Sequence, residues 1–233
     1  MEINSLKPNE GKKLNIETDF GLFSRYPIRT HVVMSGENIN NIVDKYLDSG
    51  INKDDYVFIS EKVIAICQGR AFDIDDIHPS VLARMMCKFV YKSPYGIGLG
   101  SPWTMELALR DVGVAKMLLA SICSAATKPF GVRGVFYKIA GTKARAIDGP
   151  CECTIPPYNH YAKLAPKDPD IVAKALQEHI GCKVVIIDAN DIGVEVLGRS
   201  DEEISVEFCK QVFGDNPLGQ SSQSTPIAIV RKN

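Results

Sequence analysis

Residues 142–168 read TKARAIDGPCECTIPPYNHYAKLAPKD. Their apolar residues recur neither at the helical period of about 3.6 nor at the alternation of a strand, and prolines 150, 156, 157 and 166 interrupt them, so the pattern predicts a long irregular stretch. A doubly wound parallel sheet asks for regular strand–helix alternation with short connections. This stretch breaks the alternation and points to an α+β fold with mixed strands and helices, neither a Rossmann fold nor a P-loop fold.

Working outward, periodicity returns on the C-terminal side. Asp168-Pro169-Asp170 opens a helix through Leu176 and Ile180, its acidic residues at the positive end of the dipole. Residues 183–188 read as a strand, 201–213 as a helix with Ile204, Phe208 and Val212 on one face, and 225–230 as a closing strand. Between these, 214–226 is rich in Ser, Gln, Gly and Pro and reads as an ordered loop with exposed polar side chains.

On the N-terminal side, residues 132–140 have strand character, and 101–126 carry the longest helical pattern: Ser101 caps it, Pro102 starts it and Gly113 splits it. Residues 79–91 predict a helix with Val81, Leu82, Met85, Met86, Phe89 and Val90 on one broad face. Before that come a strand at 28–34, a helix at 38–47 and a β-branched strand at 56–66. Residues 1–30 read as a loop-rich opening segment. With no repeat and no low-complexity linker, residues 1–233 are expected to form a single unit, with room for two intimately packed subdomains.

Composition narrows the function. The 233 residues are 45% hydrophobic and carry 27 Lys+Arg against 28 Asp+Glu, a net charge of -1, which offers no basic field to a nucleic-acid backbone. No apolar run of about 18 residues occurs and the start is polar, so neither a spanning helix nor a secretory signal is expected, and the cytoplasm is the expected compartment. Seven scattered cysteines, mostly inside apolar runs, read as reduced, buried thiols, while Cys151-Glu152-Cys153 is only a weak metal signal.

The chain lacks a Walker-type phosphate loop, and Gly96-Ile97-Gly98-Leu99-Gly100-Ser101-Pro102 only approaches a dinucleotide pattern without a strand before it. Gly98 and Gly100 suit either an anion held by backbone N–H groups or a tight turn into the helix. Asp148, after Ala146-Ile147 and before Gly149-Pro150, is a well-fixed carboxylate suited to a hard cation; Asp188, Asn190 and Asp191 cluster oxygens at a strand end in the same way. Each also reads as a turn former. Lys62 and Arg70 flank an apolar run, as phosphate or carboxylate clamps or as a solvated pair. His31, His78, His160 and His179 form no triad with a nucleophile, and His179 reads as structural at a helix end.

These residues fall in ordered blocks that the chain shares with a known family. The blocks are Ser60-Glu61-Lys62-Val63 with Gln68-Gly69-Arg70; residues 96–105; 128–141, ending in Phe136-Tyr137-Lys138-Ile139-Ala140-Gly141; 146–157; 164–169; 188–193; and Asp215-Asn216-Pro217-Leu218-Gly219-Gln220 with Gln223-Ser224-Thr225-Pro226. Over residues 28–231 the chain resembles the coenzyme F-420:L-glutamate ligase (gamma-glutamyl ligase) family, in its bacterial branch.

The resemblance implies that family's own α+β fold and a homodimer with its active site in a groove near the dimer interface. It implies a reaction in which GTP, or another nucleoside triphosphate such as ATP, phosphorylates a substrate carboxylate and L-glutamate then attacks the acyl phosphate. Mg²⁺ or Mn²⁺ is implied, and K⁺ with it. Phosphoryl transfer asks mainly for positioning and charge neutralisation, so a missing triad fits. Residue by residue, Asp148 matches the archaeal metal-binding Asp. The second carboxylate is Asp188 or Asp191 depending on the gap, with Asn190 at the archaeal Asp position in the ungapped alignment. Lys62 and Arg70 become candidates for binding anionic groups, and Gln220 and Gln223 for the nucleotide. The acceptor implied is a carboxylate-bearing cofactor of the coenzyme F-420-0 type; a folate, or a protein that binds nucleotide without catalysis, are the alternatives.

Overall fold

The computed structural model describes residues 3–47, 50–90, 98–132, 134–152, 154–190, 193–219 and 223–233. In chain order the strands are β1 (Asn15–Thr18), β2 (Gly21–Ile28), β3 (Tyr56–Ser60), β4 (Ala71–Asp73), β5 (Tyr161–Lys163), β6 (Lys183–Asn190), β7 (Gly193–Arg199) and β8 (Ile227–Lys232). The helices are α1 (Ile39–Leu47), α2 (Glu61–Cys67), α3 (Val81–Met86), α4 (Pro102–Val112), α5 (Val114–Thr127), α6 (Val135–Ala140), α7 (Thr142–Arg145), α8 (Pro169–Ile180) and α9 (Val206–Phe213). They divide into two units: Met1–Gly69 with Pro166–Asn233, and Arg70–Ala165.

The first unit is built on a six-stranded sheet in the order β1-β2-β8-β3-β6-β7. Only β3 and β6 run parallel; the other neighbours are antiparallel, so the fold is α+β and not a doubly wound parallel sheet. The three central strands are apolar on both faces because both faces are covered. Phe58, Val185, Ile187, Ala228 and Val230 meet Phe208, Cys209, Val212 and Phe213 of α9. Val57, Ile59, Val184, Ile186, Ile227 and Ile229 alternate with them and are equally buried. Phe208 is the hub, with the rings of Phe20, Phe23 and Tyr56 at 5.6, 5.1 and 4.9 Å. Gly198 lets α8 start against β7: a Cβ there would lie 2.5 Å from the Pro169 carbonyl carbon.

The second unit is mostly helical. Its core holds Leu99, Met105, Ala108, Met117, Ala120, Ala144, Ile147 and Leu164, and its two-stranded sheet pairs β4 with β5. Ser101 caps α4 by accepting the Thr104 N–H, and Gly113, at φ +96°, separates α4 from α5 as its position suggests.

Several elements depart from the sequence pattern. Residues 15–28 form the β1–β2 hairpin where a loop is expected, because the polar interruptions Ser24 and Arg25 are buried in β2 with partners. The strand expected at 28–34 ends at Ile28. The run at 56–66 breaks after Ser60, and 61–67 is a short helix apolar nearly all round, which periodicity cannot separate from a buried strand. Residues 135–140 are helix, bracketed by Gly134 and Gly141, despite the strand propensity of Val135, Phe136 and Tyr137.

β7 has no counterpart in the sequence reading, and the expected helix at 201–213 begins at Val206, where Ser205 accepts the Phe208 N–H. The helix expected at 79–91 shortens to α3 and a 3-10 turn, with Val81, Met85 and Phe89 outward and Ala83 and Cys87 inward; Tyr91 lies outside the described residues. In the loop at 214–226, Asn216 and Thr225 are buried rather than exposed. Cys151 is disulfide-bonded, which corrects the reading of uniformly reduced thiols; Cys67 and Cys123 are only half-buried, while burial pushes Cys182 and Cys209 up to about 12.

Arg25 is the largest polar side chain in the core. It is fully buried in β2, donates to the carbonyls of Val212 (2.8 Å) and Lys13 (2.6 Å), and pairs with both oxygens of Asp215. Burial alone would raise the Asp215 carboxyl, but hydrogen bonds and charge from Arg25, with Lys12, hold it below its usual value. A carboxyl lowered in the folded state stabilises it above the unfolded value, about 3.9, and loses that contribution as pH falls through the folded value. Urea unfolding is therefore expected to weaken in acid below about pH 4. Asp215→Asn should lose about 2 kcal/mol at neutral pH and show a flatter acid limb, less than a fully enclosed pair because Asp215 keeps some water.

Candidate functional site

In the first unit, β2, β3 and β6 point the same way, so their C-terminal ends share one edge of the sheet with the start of β8. The row Ile28, Ile227, Ile59, Ile186 is in register, and the residues just beyond it form that edge. The Ser60 N–H donates to the Pro226 carbonyl at 2.8 Å, Thr30 N–H to Ser224 at 2.9 Å, and Arg29 Nε to the Gln223 carbonyl at 3.0 Å. Lys62, Asp188, Asn190 and Gln223 all belong to this edge, which is where a sheet with parallel strands presents its loops to a ligand. Gln220 and Asp191 lie outside the described residues.

Lys62 stands exposed in the first turn of α2, rather than at a strand end. Asp188 and Asn190 alternate with the buried Ile187 and with Ala189, so both leave the face of β6 opposite α9. Asn190 Oδ1 accepts the Gly193 N–H at 3.0 Å and closes the hairpin. Directly across from Asp188 is Glu195 of β7. Two carboxylates facing each other across an antiparallel pair repel unless something positive lies between them, so this pair suits a cation. Glu195 was not among the sequence candidates. Its signal was there, an acid in the alternating run Val194-Glu195-Val196, but reading it required recognising β7.

The same edge holds a second cluster missed in the sequence. His31, expected inside a strand, follows β2 and is fixed between Tyr46 Oη and Glu37 Oε2, each 2.8 Å from a ring nitrogen. Glu37 also accepts the Met34 N–H at 2.6 Å, and that bond, with His31, holds its carboxyl below the usual range against a smaller effect of burial. Both imidazole nitrogens are engaged, so the cluster closes the 31–37 loop onto α1. His179 likewise ties α8 to Asp44 at 2.7 Å.

In the second unit, Asp148 makes a β-bridge with Lys163: its N–H donates to the Lys163 carbonyl at 3.0 Å and its carbonyl accepts the Lys163 N–H at 2.8 Å. Asp148 Oδ2 lies 3.7 Å from Lys163 Nζ, with side chains 44% and 8% exposed. A half-exposed carboxylate on a fixed backbone fits a hard cation. Gly98 and Gly100 form a 3-10 turn leading into α4, Gly98 at φ +46° and Gly100 buried. Asp73, Asp75 and His160 bring three ligating atoms within 4.8 Å of one another on the exposed end of the β4–β5 sheet, apart from the sequence candidates.

Arg70 is placed differently from the clamp the sequence suggested. It is buried, donates from Nε to the Ala165 carbonyl and from a terminal nitrogen to Asp111 at 2.7 Å, and its carbonyl accepts the Leu164 N–H at 3.0 Å. The first residue of the second unit thus holds the last. The candidate carboxylates Asp148 and Asp188 belong to different units.

A family model described as F420-0:Gamma-glutamyl ligase matches residues 27–197. Over 78 residues the chain is 36% identical to an uncharacterized protein of Methanocaldococcus jannaschii, a match covering 32% of this chain and 26% of that protein. The chain thus spans about a quarter of the length of the curated relative it matches.

The Arg70 clasp is testable. Arg70→Met should cost about 3–5 kcal/mol in urea unfolding, because Asp111 is left buried without its cation. Arg70→Lys should recover less than half, since an ammonium cannot reach both Asp111 and the Ala165 carbonyl. A stability within about 1 kcal/mol of the parent would remove the structural role.

Proposed function

Because the chain belongs to the F420-0:gamma-glutamyl ligase family, we propose that it joins the amine of L-glutamate to a carboxylate of an F420-0-type acceptor at the expense of GTP or ATP. The observation that carries this reading is the reach of the family match, residues 27–197, which takes in Lys62, Asp148, Asp188 and Asn190. In the first step a carboxylate oxygen of the acceptor bonds the terminal phosphorus as the bond to the nucleoside diphosphate breaks. In the second, the neutral glutamate amine attacks the acyl carbon, phosphate leaves, and the amine proton passes to solvent.

Asp148 in the second unit, and separately Asp188 with Asn190 in the first, are candidate ligands for Mg²⁺ or Mn²⁺, whose chemistry is to neutralise phosphate oxygens when bound. Asp188 and the facing Glu195 fit such an ion because they bring two negative charges together across the ladder. Lys62, exposed at the sheet edge, meets anionic groups of the substrates, and Gln223 and the Gly98–Gly100 turn belong to nucleotide binding. The acceptor is the finer part of the proposal.

We place a homodimer contact on α5. Met117 and Ala120 face the core, while Val114, Leu118, Leu119 and Ile122 on the opposite side are 38–66% exposed. A contiguous exposed apolar face on a helix is normally covered by another surface. No helix among the described residues is long and apolar enough to cross a membrane.

Two experiments test these readings. Incubation with GTP or ATP, Mg²⁺ or Mn²⁺, L-glutamate and either F420-0 or a tetrahydrofolate should add about 129 Da, one glutamyl residue, to the F420-0 acceptor, with stoichiometric phosphate release. Asp148→Asn should lower turnover at least 100-fold, and unchanged turnover would end the metal role. In light scattering the parent should run as a dimer and Ile122→Asp as a folded monomer; a dimeric variant would move the contact elsewhere.

A further inference from the structure

β3 and β6 begin at the edge of the first unit's sheet opposite the one that carries Lys62 and Asp188. Register gathers rings and ammonium groups there on one face. Phe23 of β2 lies across from Lys232 of β8, and Tyr56 of β3 lies across from Lys183 of β6. Tyr56 also pairs with Val230, two residues before Lys232, so both pairs project from the face that α9 covers. Phe208, in the first turn of α9, sets its ring 5.1 Å from Phe23 and 4.9 Å from Tyr56. Phe20 stands edge-on to Phe208 at 5.6 Å and keeps 40% of its surface exposed.

These rings floor a cleft of about 420 Å³, with Lys53, Lys183 and Lys232 around it. A volume of roughly 300–1,000 Å³ is that of a small-molecule site. The acids Asp54 and Glu203 share the lining, and Glu203 and Asp201 each lie 3.6 Å from Lys183 Nζ and take up its charge. Lys53 and Lys232 are exposed and form no ion pair among the described residues. The stem of Lys232 runs close over Gly21, where a Cβ would come within 3.2 Å of its Cε. The bare backbone of the β1–β2 turn thus lets the ammonium reach the cleft.

An aromatic floor beneath uncompensated ammonium groups has two complementary demands. Phe20 and Tyr56 lose apolar surface to water only when something flat lies on them, and a lysine gives a point charge to phosphate or carboxylate. A ligand that meets both carries a ring and an anion in one molecule.

We propose that this cleft is a small-molecule site separate from the Lys62 edge, for a planar aromatic ring joined to a phosphate or carboxylate group. The ring lies against Phe20 and Tyr56, and the anion meets Lys53 and Lys232. The site lies wholly within the first unit and does not rest on the ligase reading.

The test is acetylation footprinting of lysines on the full chain, read peptide by peptide in a mass spectrometer. GMP supplies a ring with phosphate and 2-naphthoate a ring with carboxylate; guanosine and inorganic phosphate supply the halves. At about 1 mM, GMP or 2-naphthoate should slow acetylation of both Lys53 and Lys232 about 5-fold or more, as expected for occupancy well above Kd. Whichever of the two protects names the anion. Guanosine and phosphate should each leave both rates within about 1.5-fold of the free protein. In calorimetry, Phe20→Ala and Lys232→Gln should each weaken binding of the protecting probe about 10-fold, with melting temperatures close to the parent's.

Unchanged acetylation of Lys53 and Lys232 with both GMP and 2-naphthoate would overturn the proposal. So would protection by inorganic phosphate equal to that by GMP, which would mark a surface anion contact with no use for the rings. GMP that shields Lys62 but neither Lys53 nor Lys232 would also end it, while leaving the ligase reading intact. Should Phe20→Ala fail to fold, Lys232→Gln decides: parental affinity in that variant would place the bound probe elsewhere.

Discussion

Strands β3 and β6 are neighbours in the sheet but more than a hundred residues apart in the chain, and everything else follows from their parallel pairing. A parallel pair cannot close by a hairpin, so the chain must leave the C-terminal end of β3 and return to the N-terminal end of β6. Here that crossover carries the whole second unit together with α2 and α8. It also fixes one edge of the sheet as the end where β2, β3 and β6 deliver their loops. The central strands can be continuous runs of Val and Ile because helices cover both faces.

The buried guanidinium of Arg25 belongs to the same logic. β2 joins the centre of the sheet through β8, and its polar residues would keep it at an edge but for Asp215 and the carbonyls of Val212 and Lys13. A charge so enclosed is tolerated only when it is paired, and with Asp215 and the Val212 and Lys13 carbonyls on the two terminal nitrogens, leaving Nε without a partner, the loop after α9 becomes part of the core rather than a surface connection. Asn216 and Thr225 are buried in that loop as well.

The sequence made legible those elements whose pattern is local. The helices at 39–47 and 169–180, the capped start at Ser101 and the division at Gly113 need only period, caps and a glycine. What it hid depends on distant partners. Residues 21–28 look like a loop until Asp215 is beside them, and 61–67 look like strand because an unbroken apolar run has no period. The candidate site divides in the same way. Asp148 and Asp188 stood out by their turn and strand-end settings, but Glu195 and Lys163 are defined by what lies across a ladder from them, and register cannot be read from one strand. Arg70 was noticed for its charge, while its task is set by Asp111 and Ala165.

That meeting of Arg70 with Ala165 and Leu164 closes the second unit at its own base. The two passages of chain into and out of it lie side by side, so the unit is a branch of the polypeptide path and not a link in series. Tension applied between the two ends of the polypeptide would therefore run through β2 and β8, which bond to each other, and bypass the branch while the clasp holds. The same arrangement makes the branch exchangeable in evolution: a segment whose ends already meet can be replaced by another of different length without moving the strands on either side of it.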